Sequence, residues 1–274
     1  MMAPGLLTLT FETPTAGDAS ETLSGRELRG YEEFRAAAAL YVDVFQYRAP
    51  EFALNPNLLS ALAQNGGSSV GVFTSHEELV GFAYGFAGRD TDGTEFHYSQ
   101  AATVDPRFQG RGVGRMLKHL QAEVAEHWGH RTMRWTFDPL LARNAHFNFD
   151  SLGASGIAYL PDYYARAGTD RILVEWVLDD RGDREQTRTS PSKRRAPALG
   201  VHEWGEIEAV DDALWIAFPA VPPVRTEVAS EMRSHLAASL TTAIDSGRVL
   251  VGCTRINDET AAYLAVPDIR MEQR

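Results

Sequence analysis

The sequence predicts an α/β fold with a mixed central sheet flanked by helices. Three observations predict it. Residues Ser69–Ser75, Leu79–Gly88 and Glu95–Val104 read as consecutive strands, the second with Val80, Phe82, Tyr84 and Phe86 alternating against Gly81, Ala83, Gly85 and Ala87. A glycine-rich turn then leads into a stripe of Val113, Leu117, Leu120, Val124 and Trp128, the spacing of an amphipathic helix. Beyond it the order becomes strand (Thr132–Phe137), short helix (Asn144–Leu152) and strand (Arg171–Leu178).

The first helix spans Gly30–Gln46, where Tyr31, Phe34, Ala38, Tyr41 and Phe45 recur at three- and four-residue steps. A second, Pro56–Gln64, has proline in its first turn and stops at Gly66-Gly67. Asp92-Gly93 turns the chain into the third strand, and Asp138-Pro139 ends the Thr132 strand. Toward the C-terminus, Val228, Met232, Leu236, Leu240 and Ile244 mark a helix over Thr226–Ile244, with strands at Val249–Arg255 and Ala261–Val266. No internal repeat is visible.

The chain has 274 residues and is 44% hydrophobic, enough for a full core without disulfides. The single cysteine, Cys253, sits in the apolar run GRVLVGCTRI and reads as a small buried hydrophobe. No run of 18 apolar residues occurs, so a membrane-spanning helix is not expected, and MMAPGLLTLTFETP lacks the basic start of a signal peptide. A cytoplasmic protein is the expectation. With 26 Lys/Arg against 37 Asp/Glu, the net charge of −11 argues against a nucleic-acid surface. Residues 181–195 (RGDREQTRTSPSKRR) hold six of those cations, are almost devoid of apolar side chains, and read as a linker. The domains expected are 1–180, a polar basic linker 181–199, and a small α+β extension 200–268.

Against this acidic background, the turn Gln109-Gly110-Arg111-Gly112-Val113-Gly114 stands out, with Arg107, Arg111, Arg115 and Lys118 around it and Asp105 the lone acid. A glycine-rich turn opening a helix offers free N–H groups and the positive end of the helix dipole to an anion. A Walker loop is excluded because Arg115-Met116 follows the last glycine, and the dinucleotide pattern fails because Arg115 replaces its third glycine. The basic cluster therefore points to a phosphate-bearing ligand. No metal is implied, since His119, His127, His130 and His146 have no ligand spacing.

Q-x-x-G-x-G at a strand–helix junction resembles the pyrophosphate-binding signature of the GNAT acyltransferases. Asn144-Ala145 and Leu152-Gly153 fill that family's next helix, and GGSSVGVF, LVGFAYGF, WTFDPLLARNAHFNFDSLGA, YLPDYY and DRILVEW extend the resemblance. They narrow it to a subfamily of predicted acyltransferases with a C-terminal extension, some associated with N-acylamino-acid metabolism and succinyl-CoA. The resemblance covers about residues 30–180 and fades beyond Gly200. It implies a GNAT fold and direct acyl transfer from acetyl-CoA or succinyl-CoA to the amine of a small molecule, an amino acid among the candidates.

By the same resemblance, a bulged strand presents main-chain N–H groups of Ala102, Thr103 and Val104 to pantetheine and the thioester carbonyl. Gln109, Gly110, Arg111, Gly112, Val113, Gly114 and Arg115 cradle the pyrophosphate, and Asn144 binds the pantetheine arm. Period two puts Glu95, His97 and Ser99 on one strand face, which makes His97, then Glu95, the candidates for the base; an exposed charge and a core histidine are the bland alternatives. Asp138 is the candidate for the acceptor ammonium, with a plain Asp-Pro turn as its alternative, and Arg134 and Arg143 for a carboxylate. Phe149 stands where many relatives carry a tyrosine that protonates the thiolate, so that role passes to Tyr159, Tyr163 or Tyr164 or to no residue. This departure leaves a second reading open, an acyl-CoA sensor without turnover. The extension would shape the acceptor pocket or form a homodimer contact.

Overall fold

A computed structural model describes residues 9–13, 21–178, 194–222 and 226–269; of the linker expected at 181–199, residues 181–193 lie outside them. The chain divides into two compact units, Met1–Met133 and Arg134–Arg274.

The first unit is a sheet in the order β1 (Leu9–Thr13), β2 (Glu21–Glu27), β3 (Ser68–Phe73), β4 (Leu79–Arg89) and β5 (Glu95–Val104). Each neighbouring pair is antiparallel. Helices α1 (Gly30–Phe45) and α2 (Pro56–Gln64) cover one face, and α3 (Val113–His127) covers the other. Two apolar clusters result. Leu28, Phe34, Leu59, Phe73, Phe82 and Tyr84 form one, and Leu23, Val70, Val72, Val113, Met116, Leu117 and Leu120 form the second. From Gly81 on, the alternation of β4 supplies both faces, but a bulge opposite Val72 and Phe73 puts Val80 in the second cluster, away from Phe82 and Tyr84 with which its spacing groups it. Glycine lets α3 lie close to the sheet: a Cβ on Gly81 would stand 2.6 Å from Val113 Cγ1, and one on Gly25 2.7 Å from Leu120 Cδ1.

Two helical stripes are narrower than their spacing predicts. Tyr31 and Phe45 are exposed at the ends of α1, where Phe45 packs on Tyr41 and Tyr47 with ring centroids 4.9 and 5.3 Å away. Trp128 lies one residue past α3 and is also exposed, because the backbone turns at Gly129 before that side chain reaches the sheet.

The second unit has strands in the order β6 (Thr132–Phe137), β8 (Arg171–Val177), β7 (Ser155–Leu160), β11 (Arg248–Arg255), β12 (Thr260–Pro267), β10 (Ala213–Pro219) and β9 (Ile207–Val210). The C-terminal strands thus continue the same sheet as β6–β8, joined where Leu250 of β11 pairs with Gly156 of β7. Helix α4 (Ala142–His146) runs into one π-helical turn, Phe147–Ser151, where a single regular helix is expected from the pattern. Helix α5 (Thr226–Asp245) packs on β7, β10 and β11, burying Met232, Leu236, Leu240 and Ala243, while Val228 is exposed. Trp215, Ala217, Ala262, Leu264 and Leu199 make the core of the C-terminal strands. Cys253 is buried, as its apolar run predicts. No helix among the described residues is long and apolar enough to cross a membrane.

Candidate functional site

The site in the first unit begins in the ladder between β4 and β5. Ser99 pairs with Gly85 and Ala101 with Tyr84, so Gln100 is an extra residue and forms a β-bulge. Past the bulge, Asp105 N–H donates to Val80 O at 2.9 Å. In an antiparallel ladder the direction of these bonds alternates, which turns the N–H groups of Ala102 and Val104 away from β4. Ala102 is exposed, unlike its ladder partner Ala83.

The chain then turns through a 3-10 segment, Pro106–Phe108, where Asp105 accepts from Arg107 N–H at 2.8 Å. Gln109 Nε2 reaches back to Val104 O at 3.3 Å, which ties the turn to the strand end. Gly110 and Gly112 hold φ at +78° and +81°, a region that side-chain-bearing residues resist, and a Cβ at either position would meet nothing within 4 Å. The turn is thus both shaped by glycine and open on its outer side. Gly112 caps α3 without a side chain, so the N–H groups of Val113, Gly114 and Arg115 have neither an intrahelical acceptor nor a capping oxygen from it. No acid occupies the first turn of α3. These are the features an anion requires.

The four cations of the cluster do not all serve it. Arg107 is held by Asp105 and by Glu78, both at 2.6 Å. The hydrogen bond from Arg107 holds the Asp105 carboxyl below the usual range. Lys118 is buried, and its Nζ donates to Ser99 Oγ at 2.8 Å. Burial pushes that ammonium down to about 7. Arg111, its guanidinium 5.1 Å from the Phe108 ring, and the exposed Arg115 are the two at the turn itself.

The two candidates for the base lie apart from the bulge. His97 is fully buried, its Nε2 is 2.8 Å from Ser68 Oγ, and burial pushes its pKa down to about 3. Ser68 also accepts from Gln121 Nε2 at 3.0 Å, and Gln121 Oε1 accepts from Ser99 Oγ at 2.7 Å. His97, Ser68, Gln121, Ser99 and Lys118 therefore form one interior polar chain between the sheet and α3. Glu95 is exposed at the far end of β5, 3.7 Å from Arg89. Ala102 lies five residues beyond His97, about 16 Å along a strand. The bulge is the physical reason for the mismatch, because it ends the simple alternation that puts His97 on the face of Ala101 and Thr103. Sequence reasoning missed this polar chain; its one signal is the pair Ser68-Ser69 inside an otherwise apolar strand.

The second unit holds the remaining candidate residues. Asp138 is already engaged by Arg233 of α5, with Nη1 to Oδ1 at 2.9 Å and Nη2 to Oδ2 at 2.6 Å, and it also caps Leu140 N–H. An acceptor ammonium would have to displace a bidentate guanidinium. Arg134 is likewise paired, with Glu175 of β8 at 2.8 Å. Asn144 and Arg143 are exposed on α4. Phe149 is fully buried, edge-on to Phe137 and Tyr263. The Tyr263 hydroxyl donates to Pro139 O at 2.6 Å. Burial, then Asp170, raises the Tyr159 phenol well above its ordinary range, which leaves it a weak acid. Tyr163 and Tyr164 are exposed and pack on each other at 4.9 Å. Among the described residues, no three His, Cys, Asp or Glu side chains gather as metal ligands.

Residues 33–149 match the acetyltransferase (GNAT) family. No protein of curated function matches the chain. Solved structures similar to it include the ribosomal-protein-S18-alanine N-acetyltransferase from Escherichia coli, at 18% identity and a TM-score of 0.43, covering 57% of this chain and 94% of that one. Another is yncA from Salmonella typhimurium, solved with its cofactor acetyl-CoA, at 20% identity and a TM-score of 0.47, covering 58% and 96%. Chaetomium thermophilum Naa20, in complex with a bisubstrate analogue, matches at 17% identity and a TM-score of 0.47, covering 60% and 92%. Strand, glycine turn and helix all fall inside the segment, residues 33–149, that matches the acetyltransferase (GNAT) family, and further strands lie beyond it.

Proposed function

We propose that the chain is an N-acyltransferase that moves an acetyl or succinyl group from acyl-CoA to the amine of a small molecule, an amino acid among the candidates, in the cytoplasm. One observation carries this reading: an uncapped helix N-terminus behind two positive-φ glycines, with Arg111 and Arg115 beside it in an acidic chain. Acyl-CoA, when bound, supplies the acyl group already activated as a thioester. The residues present fit its diphosphate. Main-chain N–H groups of Val113, Gly114 and Arg115 would take the phosphate oxygens, assisted by the dipole of a 15-residue helix. Arg111 and Arg115 would neutralise the remaining charge. The outward N–H groups of Ala102 and Val104 would orient the pantetheine arm and hold the carbonyl oxygen as charge builds on it.

Thermal unfolding with CoA, acetyl-CoA and succinyl-CoA tests the reading. A ligand of the folded state at about 100 times its Kd adds roughly 2.7 kcal/mol, which raises Tm by several degrees. The ranking of the three nominates the donor. No rise with any of them rejects the assignment.

A second reading, an acyl-CoA sensor, draws on Phe149 and on Tyr263, whose hydroxyl is engaged by Pro139. Binding without product across a panel of amines would select it.

A further inference from the structure

Small residues surround the bulge in β5: Ser99 before it, and Ala101, Ala102 and Thr103 after it. Such side chains fit either face of a sheet, so packing alone places the extra residue weakly. Its place matters, because a shift by one position exchanges the N–H groups that point away from β4.

We propose that Ser99, held by Lys118 and Gln121 of α3, pins the bulge at Gln100 and so sets the position of the thioester carbonyl. The inference rests on the acyl-transfer reading. It makes Ser99 a positioning residue, acting on the carbonyl only through the N–H groups of Ala102 and Val104. Ser99 is buried; its Oγ accepts from Lys118 Nζ at 2.8 Å and donates to Gln121 Oε1 at 2.7 Å. An ammonium only donates and an amide oxygen only accepts, so the direction of both bonds is fixed. Lys118 and Gln121 stand three residues apart on α3 and grip the strand from one helix face. Lys118 also follows Gly114 by four residues. The helix that carries the proposed diphosphate cradle therefore holds the strand that carries the proposed carbonyl donors.

Movement of the bulge is opposed in both directions. Were the extra residue to precede Ser99, that side chain would turn to the opposite face. Lys118 and Gln121, both buried, would then lose its hydroxyl. Were the extra residue to follow Gln100, the glutamine would join the face of Tyr98. Its amide would then enter the apolar cluster on which Ala101 now packs. Beyond the bulge, Asp105 N–H to Val80 O and Gln109 Nε2 to Val104 O fix the far end of the strand.

Amide NMR of the full chain, titrated with ADP and with acetyl-CoA, separates the two halves of the site. ADP carries a diphosphate without pantetheine and should shift Val113, Gly114 and Arg115 but not Ala102 and Val104; acetyl-CoA should shift all five. In Ser99→Ala we expect ADP affinity to stay within about twofold of the parent. The response of Ala102 and Val104 to acetyl-CoA should disappear, and acetyl-CoA should bind about tenfold more weakly. Lys118→Met keeps the apolar stem, removes one arm of the grip and should give the same split at smaller size; it carries the test if Ser99→Ala does not fold. His97→Ala disturbs the far end of the same polar chain and leaves the grip intact, so it should bind both ligands as the parent does. A parent whose amides ignore both ligands overturns the acyl-transfer reading and this inference with it. A responsive parent matched by responsive Ser99→Ala and Lys118→Met variants overturns the pin alone. An equal loss in His97→Ala does the same, because it would make the role of the chain one of stability.

Discussion

At Gly112 the backbone holds φ at +81° and starts a helix without a capping side chain. An alanine there must enter the left-handed region at a cost of about 1–2 kcal/mol, although space for its methyl exists. Gly112→Ala should therefore lower stability by about that amount and also shrink the Tm rise given by CoA; a normal rise would place the diphosphate elsewhere. His97 makes the opposite case, a conspicuous histidine that works in the interior. His97→Ala empties a buried site and takes one of the two partners of Ser68 Oγ, so stability should fall by about 2–4 kcal/mol. A general base contributes about 10²–10⁴ to rate, and we expect turnover of the folded variant to stay within about threefold of the parent. A hundredfold loss would restore His97 to the reaction.

Helix α3 delivers the proposed cradle, and its placement depends on contacts of almost zero clearance. Gly81 sits under Val113, the first residue of the helix, and Gly25 under Leu120. Gly81→Ala should cost about 1–3 kcal/mol by pushing the first turn outward, and Val113→Ala in the same chain should recover part of it. A double-mutant cycle in denaturant reads this coupling; strict additivity would mean the helix can slide to accommodate the methyl.

The spacing of Val113, Leu117, Leu120 and Val124 makes this helix legible in the sequence, because each apolar residue returns to one face. The strong alternation of β4 is legible for the same reason. Strands β1, β2, β7 and β9 are not, since glycine, polar residues or short length blur their period, and β10 is not, since its seven consecutive apolar residues show no period. The glycine turn is legible because Gly110 and Gly112 stand between a readable strand and a readable helix, although the same residues would also suit a plain turn that caps α3. The surroundings of His97 are not, because Gln100 carries no mark of a bulge and the partners of His97 lie 29 residues away at Ser68 and on α3. The engagement of Asp138 by Arg233, 95 residues on, was equally invisible.

At the scale of the whole chain, the buried His97 and Lys118 couple stability to pH. The His97 pKa is depressed to about 3 in the fold, from about 6.5 in the unfolded chain. Between those values the unfolded state binds more protons, so this contribution is complete above pH 6.5 and is lost as pH falls toward 3. Lys118 is lowered to about 7 from 10.5. By the same sign, stability gains from pH 7 up to about 10.5, where the unfolded lysine also loses its proton. Each window carries a slope of up to about 1.4 kcal/mol per pH unit. Hydrogen exchange of α3 amides at pH 5, 7 and 9, corrected for intrinsic rates, should show protection rising at each step. In Lys118→Met the rise from pH 7 to 9 should flatten, and an unchanged slope would assign it to another group.

The bulge at Gln100 acts as a frameshift in a two-residue code. Before it, His97 and Ser99 point toward α3; after it, Ala102 and Val104 do. Deleting Gln100 would force one half of β5 to turn over. Either Tyr98 would be driven into the polar socket beneath α3 and His97 into the aromatic layer under α1, or the outward N–H groups past the bulge would change sides. Loss of this single glutamine should therefore be harder to tolerate than most substitutions in the core.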